Sequence, residues 1–271
     1  MTGLRRVSYC LIGLSILILP IESSAQSKRP AGTMVEQTFP CLSSPAGLTS
    51  VHELQIPEKA LEACNRGTQR FVAKDSAGSV VEFQKAIKLF PKYYEVYAKM
   101  GAADLDLDNW KDAESAFRKS IELSDGQYAP ADFGLGLILA TVQNQFGEAE
   151  KVIRAGLLLD PRDVTGHFVL AWVLYSTARL RDAEKSATEA VTFAPNFGGA
   201  RLLLGQIHMA EKNFAATVRD LDAYLSTSAE TPLDAKVRQV REQALRAISA
   251  SAAGGSSASS SAREAERADL R

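Results

Sequence analysis

His52, His167 and His208 are the chain's only imidazoles, and none stands beside another histidine or a carboxylate at the spacing of a metal site or a general base. His167 and His208 fall at large-residue positions of helical segments and read as packed side chains. Cys64 has no basic partner in sequence, so a thiol nucleophile is not indicated. Asp104, Asp106 and Asp108 alternate with Leu105 and Leu107 as calcium-loop carboxylates do, but the Gly and distal Glu of an EF-hand are missing, and a solvated helix terminus accounts for them. No glycine-rich phosphate loop precedes a helix. The expectation is a protein without catalytic residues, metal or cofactor, whose function is binding.

The elements that present a binding face are written in a repeat. The phrases Ile87-Lys-Leu-Phe-Pro91, Ile121-Glu-Leu-Ser-Asp125, Leu157-Leu-Leu-Asp-Pro161, Val191-Thr-Phe-Ala-Pro195 and Leu225-Ser-Thr-Ser-Ala229 follow one another at steps of 34, 36, 34 and 34 residues. Apolar residues at helical spacing inside such a period, with a turn former closing each unit, mark stacked helical hairpins. The third unit, Tyr128 to Asp163, carries two extra residues, one before its first helix and one in the turn near Asn144. Small residues hold one register: Gly67, Gly101, Gly136, Ala171 and Gly205 on the first helices, Ala113, Ala149 and Ala183 on the second. They sit where two helices of a hairpin cross too closely for a large side chain.

With Phe83, Ala86 and Pro91, then Tyr97, Met100-Gly101 and Phe117, then Leu135-Gly136, Leu170-Ala171 and Leu204-Gly205, the chain resembles the tetratricopeptide repeat family over residues 60 to 231. The fold class is accordingly all-α, an α-solenoid of five units over 57–231. In the fifth, Thr217 and Tyr224 replace alanines and Ala229 replaces a proline. Thr231 and Pro232 then open a helix with the apolar stripe Leu233, Val237, Val240, Ala244 and Ile248, read as a cap over 232–248. The Ser/Ala-rich and charged residues 249–271 read as a disordered tail.

Opposite the hairpin contacts, helix geometry places Cys64, Thr68 and Phe71, then Ala98, Ala102 and Leu105, on the inner surface of the superhelix. Phe133, Leu137 and Ala140, then Phe168, Trp172 and Tyr175, then Leu202, Gln206 and Met209 continue that row, with far more apolar character. In the family this concave surface is the usual peptide groove, so the resemblance implies a protein or peptide partner held by these residues. An aromatic row with a methionine suits an apolar anchor. Burial by neighbouring repeats, or by the chain's own N-terminal arm, explains the same row. Chaperone-binding relatives grip a C-terminal carboxylate here with Lys, Arg and Asn; Asn65, Thr68, Lys99 and Ala102 make an incomplete clamp.

Arg5 and Arg6, the apolar run Tyr9 to Ile21, and Ser23-Ser24-Ala25 have the order of a signal peptide over 1–25, with cleavage after Ala25. The run is short for a bilayer span and Pro20 interrupts it. Cys10 stands at the start of the run, after Tyr9, which excludes a lipoprotein signal. The expectation is an exported, periplasmic or secreted scaffold; the alternative is an envelope-assembly or secretion subunit anchored in the inner membrane by an uncleaved 9–21 segment. Residues 26–56 form a flexible arm, of which Val51 to Ile56 is apolar enough to lie along the solenoid. Cys41 and Cys64 then share a compartment that permits disulfides, and stand either bridged or as two thiols. A formal charge of −1 offers no basic stripe for nucleic acid. A composition 46% hydrophobic and 23% charged excludes wholesale disorder and a multi-span membrane protein.

Overall fold

Apolar residues returning every three or four positions from Pro57 onward, punctuated by Pro and Asp/Asn turns, leave the backbone no sheet pattern to follow. The computed structural model describes residues 51–227 and 232–268, and every element among them is a helix. They belong to two compact units, 51–179 and 180–268. The first holds α1 (Val51–Leu54), α2 (Glu58–Val72), α3 (Ser76–Leu89), α4 (Tyr94–Asp106), α5 (Trp110–Leu123), α6 (Ala129–Thr141), α7 (Phe146–Leu159) and α8 (Val164–Ser176). The second holds α9 (Leu180–Phe193), α10 (Gly198–Ala210), α11 (Phe214–Thr227) and α12 (Pro232–Ala268).

In the first unit each hairpin turn closes on one left-handed residue, Lys74 (φ 66°), Asp108 (φ 59°) and Asn144 (φ 56°), and Ala178 (φ 59°) after α8 takes the same conformation. The next amide donates back into the helix, from Asp75 to Arg70 O at 2.9 Å, Asn109 to Asp104 O at 2.8 Å and Arg179 to Leu174 O at 2.9 Å. This satisfies carbonyls that a helix end leaves orphaned. In the third hairpin Gln145 reaches one residue further, to Leu139 O at 2.8 Å, which absorbs the extra residue expected near Asn144. The other extra residue lies in 124–128, where Asp125 (φ 50°) and Gly126 (φ 69°) turn the chain.

Side chains of the second helices fill the space the glycines leave. A β-carbon on Gly67 would come within 2.5 Å of Phe83, on Gly101 within 3.0 Å of Phe117, and on Gly136 within 2.4 Å of Ile153. Phe83, Phe117 and Ile153 are fully buried, each stabilising by about 1.5–3 kcal/mol. Phe83 centres a cluster with Ala60, Ala63, Cys64, Ala86, Tyr93, Val96 and Ala103, against which Ile56 packs, so the end of the N-terminal arm does lie on the helices.

In the second unit Lys212 (φ 60°) repeats the turn, and Gly205 receives Leu221 as the earlier glycines receive their partners. Leu221, Tyr224 and Val237 form the core. Tyr224, at a position filled by the small Ala86, Ser120, Gly156 and Ala190 in the other units, donates its hydroxyl to Asp234 Oδ1 at 3.0 Å and so ties α11 to α12, which explains the departure. On α12 Val237 and Ala244 are buried while Ile248 is exposed. The helix does not stop at Ile248 as expected but runs through Ala268. A helix already nucleated over 232–248 gains one backbone bond per added residue, and no proline interrupts it.

Candidate functional site

The first helices α2, α4, α6 and α8 pack side by side, giving the first unit one continuous layer. Across it the expected inner positions divide by burial. Cys64, Ala98 and Ala140 are buried, whereas Thr68, Phe71, Ala102, Leu105, Leu137, Phe168 and Tyr175 are half-buried. Lys99, only 4% exposed, bonds Thr68 Oγ1 at 3.1 Å from α4 to α2, so it braces the layer from within.

Two of the aromatics expected on an open face are in the core. Phe133 is 2% exposed because Gly156 and Gly166 make room for its ring; a β-carbon on either would come within 2.6 or 2.5 Å of it. Trp172 is 6% exposed and its ring centroid lies 6.1 Å from that of Phe146. Leu137, Phe168 and Tyr175, expected in the same row, are half-buried.

The second unit, taken by itself, places Leu202, Gln206 and Met209 along α10, all half-buried. Leu202 packs against the Leu221, Tyr224 and Val237 core. Gln206 Oε1 is buried without a hydrogen-bond partner. An acceptor so placed costs about 1–3 kcal/mol unless something donates to it.

Titratable groups come together in ways that spacing along the chain conceals. His52 stacks on Tyr94 with centroids 4.5 Å apart and meets the fully buried Glu95 at 3.3 Å. His208, 4% exposed, has Asp220 Oδ2 at 2.8 Å from Nδ1 and Glu184 Oε1 at 3.0 Å from Nε2, and Glu211 completes a group with Glu184 and His208 whose ligand atoms lie within 4.8 Å of one another. His208 packs as expected, and spacing along the chain does not reveal its carboxylates because Glu184 comes from α9 and Asp220 from α11. Asp104 is buried instead of solvated, and burial raises its pKa against the help of Asn109. Burial likewise pushes Asp132 up to about 7 and raises Asp163, although Asp163 caps α8 through the Gly166 amide at 2.7 Å. Cys64 is disulfide-bonded; Cys41 and the candidate signal peptide lie outside the described residues.

No family model matches the chain. A thermophilic tetratricopeptide protein of Thermus thermophilus, TTC0263, superposes with a TM-score of 0.58 at 16% identity, over 69% of this chain and 98% of that one. PilW, described as a widely conserved type IV pilus biogenesis factor, superposes with a TM-score of 0.61 at 15% identity, over 69% of this chain and 89% of that one. The helices have the fold of these tetratricopeptide structures. In sequence, the chain is 33% identical over 129 residues to the STIP1 homolog of Dictyostelium discoideum, a match that covers 46% of this chain and 22% of that protein. The chain thus spans about a fifth of that relative's length.

Only the periodic contacts had a legible signal. The left-handed turn residues of the array share the sequence period, as do the glycines, so whatever a first helix meets in one unit has its counterpart a period later. Glu184 against His208 and His52 against Glu95 have no such counterpart, and only the fold brings them together.

Proposed function

We propose that this chain is a non-enzymatic scaffold that binds a segment of another protein along the first helices of its repeats, outside the cytoplasm. The observation that carries the reading is the side-by-side packing of α2, α4, α6 and α8, with Leu137, Phe168 and Tyr175 half-buried on them. Large apolar and aromatic groups on a rigid layer supply affinity without a reacting group. The occupant that fits is an apolar segment, extended or helical, because the cation set needed to hold an acidic terminus is incomplete and Lys99 is already bonded to Thr68.

Export is supported by the order of residues in 1–25 and by the disulfide at Cys64, since such bonds persist in oxidising compartments. An assembly role, as the description of PilW as a type IV pilus biogenesis factor suggests, suits an exported scaffold. No described helix is long and apolar enough to cross a membrane.

Photo-crosslinking residues placed at Leu137 and Phe168 in cells test the reading, with Leu158 on α7, 84% exposed, as the control. Adducts from the first two sites that map to one segment of another protein, and none of that segment from Leu158, are expected. Adducts that map only to residues 26–50 of the same chain, or no adducts, would overturn it.

A further inference from the structure

His208 projects from the last turns of α10 with a carboxylate on each ring nitrogen. The two sides differ in kind. Asp220 is 2% exposed and is also approached by Arg201 Nη1 at 3.7 Å and Arg219 Nη2 at 4.0 Å, so its charge is already met and its place is fixed. Its bond to Nδ1 sets the tautomer and aims Nε2 outward. Glu184 Oε1 lies 3.0 Å from Nε2, and Glu211 brings a third ligand atom within 4.8 Å of theirs; the two glutamates are half-buried and exposed, on flexible stems. A neutral imidazole whose Nδ1–H is given to Asp220 points a lone pair at these oxygens, and that arrangement calls for a cation between them: a proton on Nε2 or a metal ion.

Buried carboxylate, imidazole and then metal is the order in which proteins orient ligating histidines. The dimensions agree. Ligands about 2.0–2.2 Å from an ion stand about 3.3 Å apart in a tetrahedron, and the present limit of 4.8 Å closes to that by rotation of the two glutamates. An imidazole nitrogen with two carboxylates favours zinc and its first-row neighbours over magnesium or calcium, which take oxygen ligands.

We propose that Glu184, His208 and Glu211 bind one divalent transition-metal ion of the zinc class, with Asp220 as the positioning residue and the remaining coordination positions left to water. On binding, the ion takes the Nε2 lone pair in place of the Nε2 proton, which passes to solvent. The ion joins α9 to the end of α10, so it stabilises the second unit by mass action.

Titration of the full mature chain with Co²⁺, read by its visible d–d absorption, and competition with Zn²⁺ test this. Saturation at one ion per chain, displacement by Zn²⁺, loss of the signal in the Glu184→Gln/Glu211→Gln double variant and a weakening of about 10- to 100-fold in Asp220→Asn are expected. The double variant alters only accessible side chains, so it stays informative if Asp220→Asn fails to fold. Absence of saturable binding, or binding that persists unchanged in the double variant as adventitious surface carboxylates would give, overturns the proposal.

Discussion

The ring of Phe117 lies against Gly134: a β-carbon there would come within 2.3 Å of the phenyl carbons, closer than side chains ever approach. Phe117 also faces Gly101, so one phenylalanine of α5 is held between α4 and α6, and its burial joins successive repeats. Gly134→Ala should therefore destabilise. Overpacking costs about 1–3 kcal/mol, against a helix-propensity gain of about 0.5–1 kcal/mol. Urea unfolding should show a lower midpoint with an unchanged slope; a higher midpoint would mean the ring is not confined.

Ala178 occupies a left-handed position that glycine fills without strain. Relief of about 1–2 kcal/mol, less glycine's entropy cost of about 0.5–1 kcal/mol, predicts that Ala178→Gly stabilises by about 0.5–1 kcal/mol. A melting temperature at or below that of the parent chain would contradict the assignment of the turn.

Asp132 gives the pH dependence. Its pKa stands at about 7 in the fold against an ordinary 3.8, because the fold buries the carboxyl. Between those values the folded chain keeps a proton that the unfolded chain has lost, so stability falls as pH rises, by at most about 1.4 kcal/mol per pH unit from this group. Asp132→Asn removes the effect. The variant should match the parent near pH 4 and exceed it increasingly up to about pH 7, with a constant gap beyond. A gap that does not change with pH would show that Asp132 does not titrate in this window.

The repeats were legible because they are stated in residue types that have no substitute: Gly67, Gly101, Gly136 and Gly205 each face a large side chain of the next helix, and a period of glycines survives in sequence. The candidate face was legible only in outline. Helical spacing puts Phe133 and Trp172 in line with Leu137, Phe168 and Tyr175, but burial is decided by what the neighbouring helix offers, and Gly156, Gly166 and Phe146 draw those two rings inward. The His208 group was hidden because three of its members lie on different helices or turns, and Asp220 holds its place through α11.

Export and the disulfide are checked together on protein purified from the cells that make it. The mature chain should begin at Gln26, and Cys64 should resist alkylation in denaturant until a reductant is added, with Cys41 as its partner. A chain recovered intact from cytosol, or a Cys64 that alkylates without reduction, would remove the case for an oxidising compartment.

Affinity for the crosslinked partner segment, made as a peptide, tests the scaffold most directly when measured for the parent chain and for Phe168→Ala/Tyr175→Ala. The interaction face predicts a loss of about thirtyfold or more, about 2 kcal/mol, as anchor-binding aromatics give, while Leu158→Ala binds as the parent does. Equal affinity in the double variant and the parent, with both folded, would contradict the claim that the first helices bind the partner.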